Sequence, residues 1–310
     1  MNIINPLVSI IMPAYNVEKW IEKSIKSIIN QTYENFELII IDDCSTDSTF
    51  NIIKRMSTLD NRIKYARNKE NSKICKTLNH GLDISTGDYI ARFDADDIAT
   101  PDRLEKQMAK LIEDNLDLIG CQMITIDESE NELSSAQRPI GESLINKTKL
   151  LISPISHIWL CKKDIYIKLN NYREIPYAED YDFILRAIDH GYKCDNHPLP
   201  LMYIRHREGN TSTTASLLQR KTHNYVVKLA KERRRNKSLT DSFSEDELKK
   251  YISFYKITNF FHKLSTKNLN LAHKTKSYPL KIIYLLFACS SSYYNSQYLI
   301  ERLIFKYKNK

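Results

Sequence analysis

The chain has 310 residues, 42% hydrophobic and 27% charged, with a formal net charge of +8 at pH 7. That composition belongs to a globular protein with a real buried core, built as one large domain or two smaller ones. Its cysteines (44, 75, 121, 161, 194 and 289) form no CxxC pair, which excludes a zinc knuckle and a disulfide framework and fits reduced thiols in the cytosol.

The charge is unevenly placed. From Leu217 onward there are 20 Lys/Arg against 6 Asp/Glu, a formal +14, so subtraction from +8 leaves −6 for residues 1–216. An acidic body followed by a basic tail predicts two jobs, the second at an anionic surface. The opening "MNIINPLVSIIMPAYN" has no basic segment and no run long enough for a signal peptide, so the chain is expected to act inside the cell.

In chain order, "LVSIIMPAYN" is a buried strand ending in a loop at Pro13. Asn16 can cap a helix on which Trp20, Ile21, Ile25, Ile28 and Ile29 follow at helical spacing. "FELIIIDD" is a second strand, too continuous to be half exposed. "STDSTFNIIKRM" is a helix with Ser45 near its cap, and "RIKYA" a third strand. "ICKTLNHGL" puts Ile74, Leu78 and Leu82 on one helical stripe, and "GDYIARF" is a fourth strand. Thr100-Pro101 reads as a cap with Pro at the first helical position, opening a helix through Leu104, Met108, Leu111 and Ile112.

This βαβαβαβα order predicts an α/β fold with a mainly parallel central sheet and helices on both faces. Ligands of such sheets bind outside the carboxyl ends of the strands. Three polar clusters fall at those ends: Tyr15, Asp42-Asp43, and Asp94, Asp96 and Asp97 of "RFDADD".

Further on, "DLIGCQMITID" alternates like a half-exposed strand and "DESENELSSAQ" reads as a polar loop. "HIWLCKK" is a strand and "DIYIKLNNY" a short helix. "EDYDFILRAIDHG" is a helix with Phe183, Ile184, Ala187 and Ile188 facing the core, stopped at Gly191. "LPLMYIRHREGNTS" is a strand, then a loop. Residues 217–310 form a basic amphipathic helical region in which "KERRRNK" reads as an exposed turn. The longest uncharged run, Ile282 to Ile300, contains Asn295, Gln297 and several serines. A span needs about 20 predominantly apolar residues, so these helices are expected to lie on a membrane surface rather than cross it. Packing of their apolar faces on the body is the alternative.

Three carboxylates within four residues repel one another unless a cation joins them. Oxygen ligands suit Mg²⁺ or Mn²⁺, which bind one or two carboxylates plus substrate phosphates. In an extended segment Asp94 and Asp96 point to the same side, able to share an ion or divide it with a ribose, while Asp97 points elsewhere as local structure. No GxxxxGK[ST] or GxGxxG motif is present, so phosphates would be met by metal and by side chains such as Lys73 and Lys76.

"VSIIMPAYN", "FELIIIDDCSTDST", "NSKICKTLNHGL", "GDYIARFDADDIATPDRLEKQ" and "YAEDYDFILRA" occur in this order over residues 6–212. Together they resemble the family 2 inverting glycosyltransferases of GT-A fold, in particular the bacterial members that build O-antigen, capsule or lipooligosaccharide. The resemblance implies a catalytic domain over residues 1–216. Pro13, Ala14 and Tyr15 would line the nucleotide, with Tyr15 by the uracil ring and Asp43 accepting the uracil N–H. Lys76 would lie near the diphosphate, Asp94 toward ribose or metal, and Asp96 as metal ligand. Asp180, at a helix start where the dipole favours a carboxylate, would be the catalytic base, with Glu179 and Asp182 as fallbacks. His157 and Glu179 would lie on the acceptor side. Two departures stand out: Lys73 occupies a loop position where the family often has Gly, and Arg207 stands where a loop histidine is expected, with His206 one position early.

The implied reaction is transfer of a hexose, glucose or galactose favoured over an N-acetylhexosamine, from a UDP-sugar to a lipid-linked glycan, giving a β-glycoside. The enzyme would need Mn²⁺ or Mg²⁺ and work peripherally on the anionic inner face of the cell membrane. Other classes fit less well. An aspartyl-phosphate phosphatase needs an Asp-x-Asp at the first strand, which here ends in "PAYN". A nucleic-acid partner is not expected, because the tail's Ile, Leu and Tyr occur in runs and form no known reading motif.

Overall fold

A computed structural model of the chain describes residues 5–207, 216–236 and 238–308. Its sheet begins with four parallel strands in the order β3 (Ile63–Arg67), β2 (Phe36–Asp42), β1 (Val8–Ala14), β4 (Tyr89–Arg92). It continues through β8 (Leu160–Lys162), β6 (Leu118–Ile126), β9 (Cys194–Arg205) and β5 (Ile98–Ala99), with β6 parallel to β9 and the other new pairings antiparallel. The strand order reverses at β1, whose neighbours are β2 and β4, so the crevice lies beyond Ala14 and Arg92.

The continuous apolar runs of β1 and β2 are explained by cover on both faces. Ile10, Met12, Leu38 and Ile40 pack with α1 (Ile21–Ile29), α2 (Thr49–Ser57) and α4 (Arg103–Glu113). Ile11 and Ile90 share the other core with α3 (Lys73–Ile84), α5 (Glu142–Thr148), α6 (Lys163–Lys168) and α7 (Glu179–Asp189). This is the expected α/β architecture with helices on both faces. Glu37 is buried in β2 yet satisfied: it accepts from Ser9, Thr86 and Lys64. Burial pushes its carboxyl up, but those donors prevail and bring it down to about 2.

Several local expectations are corrected. Residues 118–123 of β6 are all buried rather than alternating, because both faces of β6 are covered: Ile119, Cys121 and Met123 belong to one core and Leu118 to the other. "DESENELSSAQ" is not all loop: β7 (Glu132–Ala136) pairs antiparallel with β6. Backbone hydrogen bonds hold such an outer strand, which tolerates polar side chains. The expected helix caps serve the crevice rim instead. Asn16 Oδ1 accepts from Thr46 N and Ser45 Oγ from Asn16 N, while α1 and α2 begin later, at Ile21 and Thr49. Thr100 donates to Asp102, and α4 starts only at Arg103.

The C-terminal region is helical as expected. α8 (Ser216–Arg235) packs Tyr225, Val226, Leu229 and Ala230 against Tyr181 and Leu185 of α7, together with Leu248 of α9 (Glu245–Ile252). The expected exposed turn at "KERRRNK" is replaced by continuous helix to Arg235; Lys237 lies outside the described residues. Arg233 is buried because it pairs with Asp189 and Asp241. Three helices follow: α10 (Lys256–Lys274), α11 (Tyr278–Ser291) and α12 (Tyr293–Lys308). They leave Ile257, Phe260, Leu286, Phe287 and Leu303 more than half exposed. No helix is long and apolar enough to cross a membrane among the described residues.

Candidate functional site

The crevice is built from the ends of β1, β2 and β4, the loop before β8, and the start of α7. Ala14 is buried at the end of β1, and Tyr15 emerges 44% exposed, its ring available to a ligand. Asp43 is buried at the next strand end. Its Oδ1 accepts from Asn68 Nδ2 (2.8 Å) and Ser72 N (2.7 Å), and its Oδ2 from Lys73 N (2.9 Å). It therefore already orders the loop into α3. Lys73 itself has φ = +67°, the left-handed region favoured by glycine. The lysine thus adopts the glycine-like backbone at this position. Lys76 is exposed on α3 and pairs with Glu174 at 3.5 Å.

"RFDADD" is not extended through its acidic run. Asp97 N donates to Asp94 O (3.1 Å), closing a turn over residues 94–97, so the two-residue alternation breaks. The turn brings Asp94 and Asp97 together with His157: one ligand atom from each lies within 4.8 Å of the others. Asp96, expected beside Asp94 on the ion, instead accepts from Arg207 Nε at 2.7 Å, and Arg207 stacks over Trp20. His206 is exposed, away from this contact. Residues 208–212 of that loop lie outside the described residues.

Much of the counter-charge comes from the protein. Arg92, on β4, is buried beside Asp94 (3.5 Å) and Glu179 (3.0 Å). Burial opposes its charge, but the two carboxylates hold its pKa well above the usual arginine value. Arg205 N donates to Asp97 Oδ1 at 2.8 Å. Two groups remain under-served. Burial and the neighbouring Asp96 and Asp94 push the Asp97 carboxyl well up, and Asp94 Oδ1 is buried without a hydrogen bond. A hard divalent cation answers both needs, and two carboxylates with an imidazole form a donor set suited to Mn²⁺ or Mg²⁺. His157 Nε2 lies 3.5 Å from Asp94 Oδ2, and burial lowers its pKa, so it is poised as a neutral ligand or hydrogen-bond partner.

The first turn of α7 contributes three carboxylates in different states. Burial raises Glu179 to about 7, against the pull of Arg92. Asp182 is fully buried and pairs with Arg186 at 2.8 Å, so it holds the helix in place. Asp180 is half-buried, accepts from Tyr181 N (2.7 Å), and has no ion pair among the described residues. Its charge is felt at Arg92, Arg138, His157 and His223. α7 is fixed there by Phe183, stacked on Trp159 (5.6 Å) and Tyr166 (4.4 Å). Trp159 lies two residues beyond His157 and its carbonyl accepts from Arg92 N, so one aromatic cluster sets the spacing of His157, Arg92 and Asp180.

Sequence reasoning missed Arg92 and the roles of Asp97 and Arg207. Arg92 was findable: on a strand it lies two residues before Asp94, on the same side. Asp97 needed the turn.

A switch-point crevice with an acidic turn, an exposed aromatic and an open carboxylate is the arrangement of a glycosyltransferase of GT-A fold. The family model described as Glycosyl transferase family 2 matches residues 9–169, and the chain belongs to that family. An "Uncharacterized glycosyltransferase" of Haemophilus influenzae is 39% identical over 231 residues, 70% of this chain and 71% of the relative. The Escherichia coli protein "UDP-Glc:alpha-D-GlcNAc-diphosphoundecaprenol beta-1,3-glucosyltransferase WfgD" is 29% identical over 205 residues, 62% of this chain and 77% of the relative. Among solved structures, S. aureus TarS 1–349 in complex with UDP-GlcNAc aligns with TM-score 0.63 at 20% identity, covering 95% of this chain and 88% of that one. The mannosyltransferase PcManGT from Pyrobaculum calidifontis, in complex with GDP-Man and Mn²⁺, aligns with TM-score 0.59 at 19% identity over 98% and 87%. These structural likenesses establish the fold.

Proposed function

We propose that the chain is a metal-dependent, inverting hexosyltransferase that moves glucose or galactose from a UDP-sugar to a hydroxyl of a lipid-linked glycan, as in O-antigen or capsule assembly. The observation that carries it is Asp180, a half-buried carboxylate without an ion pair, beside the cluster of Asp94, Asp97 and His157. Tyr15 and Asp43 hold the base, and Asp94 meets the ribose side. Asp180 takes the proton of the acceptor hydroxyl as its oxygen attacks the anomeric carbon and the bond to the UDP oxygen breaks. Attack from the face opposite the diphosphate inverts an α-linked donor to a β-glycoside. Asp94 with Asp96 or Asp97 and His157 would hold a Mn²⁺ or Mg²⁺ ion, which would supply positive charge for the leaving diphosphate.

The WfgD name supports a UDP-glucose donor and a lipid diphosphate acceptor, whereas TarS supports UDP-N-acetylglucosamine as the alternative donor. Exposed Leu286 and Phe287 on α11, next to α10 with Lys256, Lys263, Lys267 and Lys274, support attachment to an anionic membrane. The test is UDP release over a panel of UDP-sugars with Mn²⁺ and a synthetic GlcNAc-diphosphate-lipid acceptor. Acceptor-dependent release with UDP-glucose or UDP-galactose is expected, and release with no donor on the panel would defeat the proposal.

A further inference from the structure

A cavity of about 740 Å³ opens where α8 and α12 close over β6 and β7, a size suited to a small-molecule ligand. Its walls and rim carry Arg138, Arg220, Arg302 and Lys306 against the single carboxylate of Glu301. None of these four cations is in an ion pair among the described residues. Burial pulls down the pKa of both Arg138 and Arg220 and the Arg302 charge adds to it, opposed by Asp180 at Arg138 and by Tyr298 and Glu301 at Arg220. A fold that gathers uncompensated cations in a concave space is built for an anion.

The side chains are oriented for one. Arg220 stacks on the Tyr298 ring (3.5 Å to the centroid), with Arg302 over the same ring (5.1 Å). A guanidinium held over a ring keeps several N–H donors, which can grip phosphate oxygens two at a time. Arg138 gives one nitrogen to Ser153 O (2.9 Å), but its Nε is buried without a partner, as is His223 Nε2. Both residues line the cavity.

The cavity borders the reaction site: the Asp180 charge is felt at its lining residues Arg138 and His223. The His223 ring stacks on that of Tyr181 (4.7 Å, 21°), the residue after Asp180. The donor diphosphate has its own place at the strand-end crevice, so a second cationic site beyond Asp180 serves a second anion. We propose that this cavity binds a phosphate or diphosphate group of the acceptor and thereby presents the acceptor hydroxyl to Asp180; the role given to Asp180 rests on the transferase proposal above. The exposed apolar faces of α10–α12 are the separate means of holding a membrane, so the cavity's ligand is the acceptor's own phosphate and not a lipid headgroup.

The test is calorimetric titration of the full chain with inorganic pyrophosphate, in EDTA and without nucleotide, so that neither the carboxylate cluster nor catalysis contributes. Saturable binding by the wild type is expected, weakened at least tenfold in the double variant Arg220→Gln/Arg302→Gln. Lys306→Glu, a change at an exposed position that leaves the fold intact, is expected to weaken it several-fold. UDP binding with Mn²⁺ should be unchanged in both variants. Absence of saturable binding, or equal binding by the variants, overturns the proposal. So does retention on phosphatidylglycerol vesicles that pyrophosphate competes away, which would make the cavity's ligand a lipid headgroup. Because no donor is present, these failures are distinct from failure of the transferase reaction, which UDP release reports.

Discussion

Replacing Lys73 with glycine is expected to stabilise the protein, although glycine at the start of a helix usually does the opposite. Lys73 is the first residue of α3 and has φ = +67°. Holding an L-residue in that region costs about 1–2 kcal/mol, which glycine avoids. Glycine in turn loses about 0.5–1 kcal/mol through its freer unfolded chain. The lysine side chain is exposed and without an ion pair among the described residues, so little else is lost. The hydrogen bond from its backbone N to Asp43 Oδ2 does not need a side chain and survives. The net gain is about 0.5–1 kcal/mol, or roughly 1–2 °C in Tm for a chain of this size. Urea denaturation of wild type, Lys73→Gly and Lys73→Ala measures it. Alanine keeps the strained backbone and should gain nothing. A Lys73→Gly protein less stable than wild type, or a Lys73→Ala protein equally stabilised, would refute the strain argument. UDP titration of Lys73→Ala also decides whether the side chain contacts phosphate.

Glu37 makes stability depend on acid: its carboxyl lies at about 2 rather than 4.5, so the contribution is full above about 4.5 and is lost as pH falls toward 2. Glu37→Gln should cost on the order of 2 kcal/mol at pH 7 and flatten the acid limb of the stability curve; an unchanged limb would show that other carboxylates control it. Asp96→Ala should weaken metal-dependent UDP binding about tenfold or more, and titration showing the same metal dependence would leave Asp96 as only the partner of Arg207. Sedimentation with vesicles should carry the protein down with phosphatidylglycerol but much less with phosphatidylcholine, and Leu286→Ser/Phe287→Ser should reduce it; binding indifferent to both changes would assign those faces to something other than membrane.

The parallel half of the fold was legible because β1 and β2 are buried on both faces, so their apolar runs had only one interpretation. β7 was not legible, since an outer strand held by backbone hydrogen bonds needs no apolar side chains. Arg233 was not legible either: its partners Asp189 and Asp241 are 44 and 8 residues away. Within the site, the placement of Tyr15, Asp43 and Asp94 near strand ends and of Asp180 at a helix start was readable from the order of elements, while their roles are those proposed above. The carboxylate that joins Asp94 and His157 could not, because a turn at residues 94–97 exchanges the neighbour two positions on for the one three positions on. Nor does any local pattern bring α12 back over β7 to form the cationic cavity; that contact is tertiary.

The role of Asp180 as the base is tested most directly by comparing Asp180→Asn with wild type in two measurements on the same preparation: UDP binding with Mn²⁺, and transfer from the active UDP-sugar. The substitution keeps the shape of the side chain and removes only its capacity to accept a proton. UDP affinity within about twofold of wild type, with transfer down by about 10²–10⁴, is the expected result. Transfer retained in the variant, or UDP binding lost with it, would contradict the account.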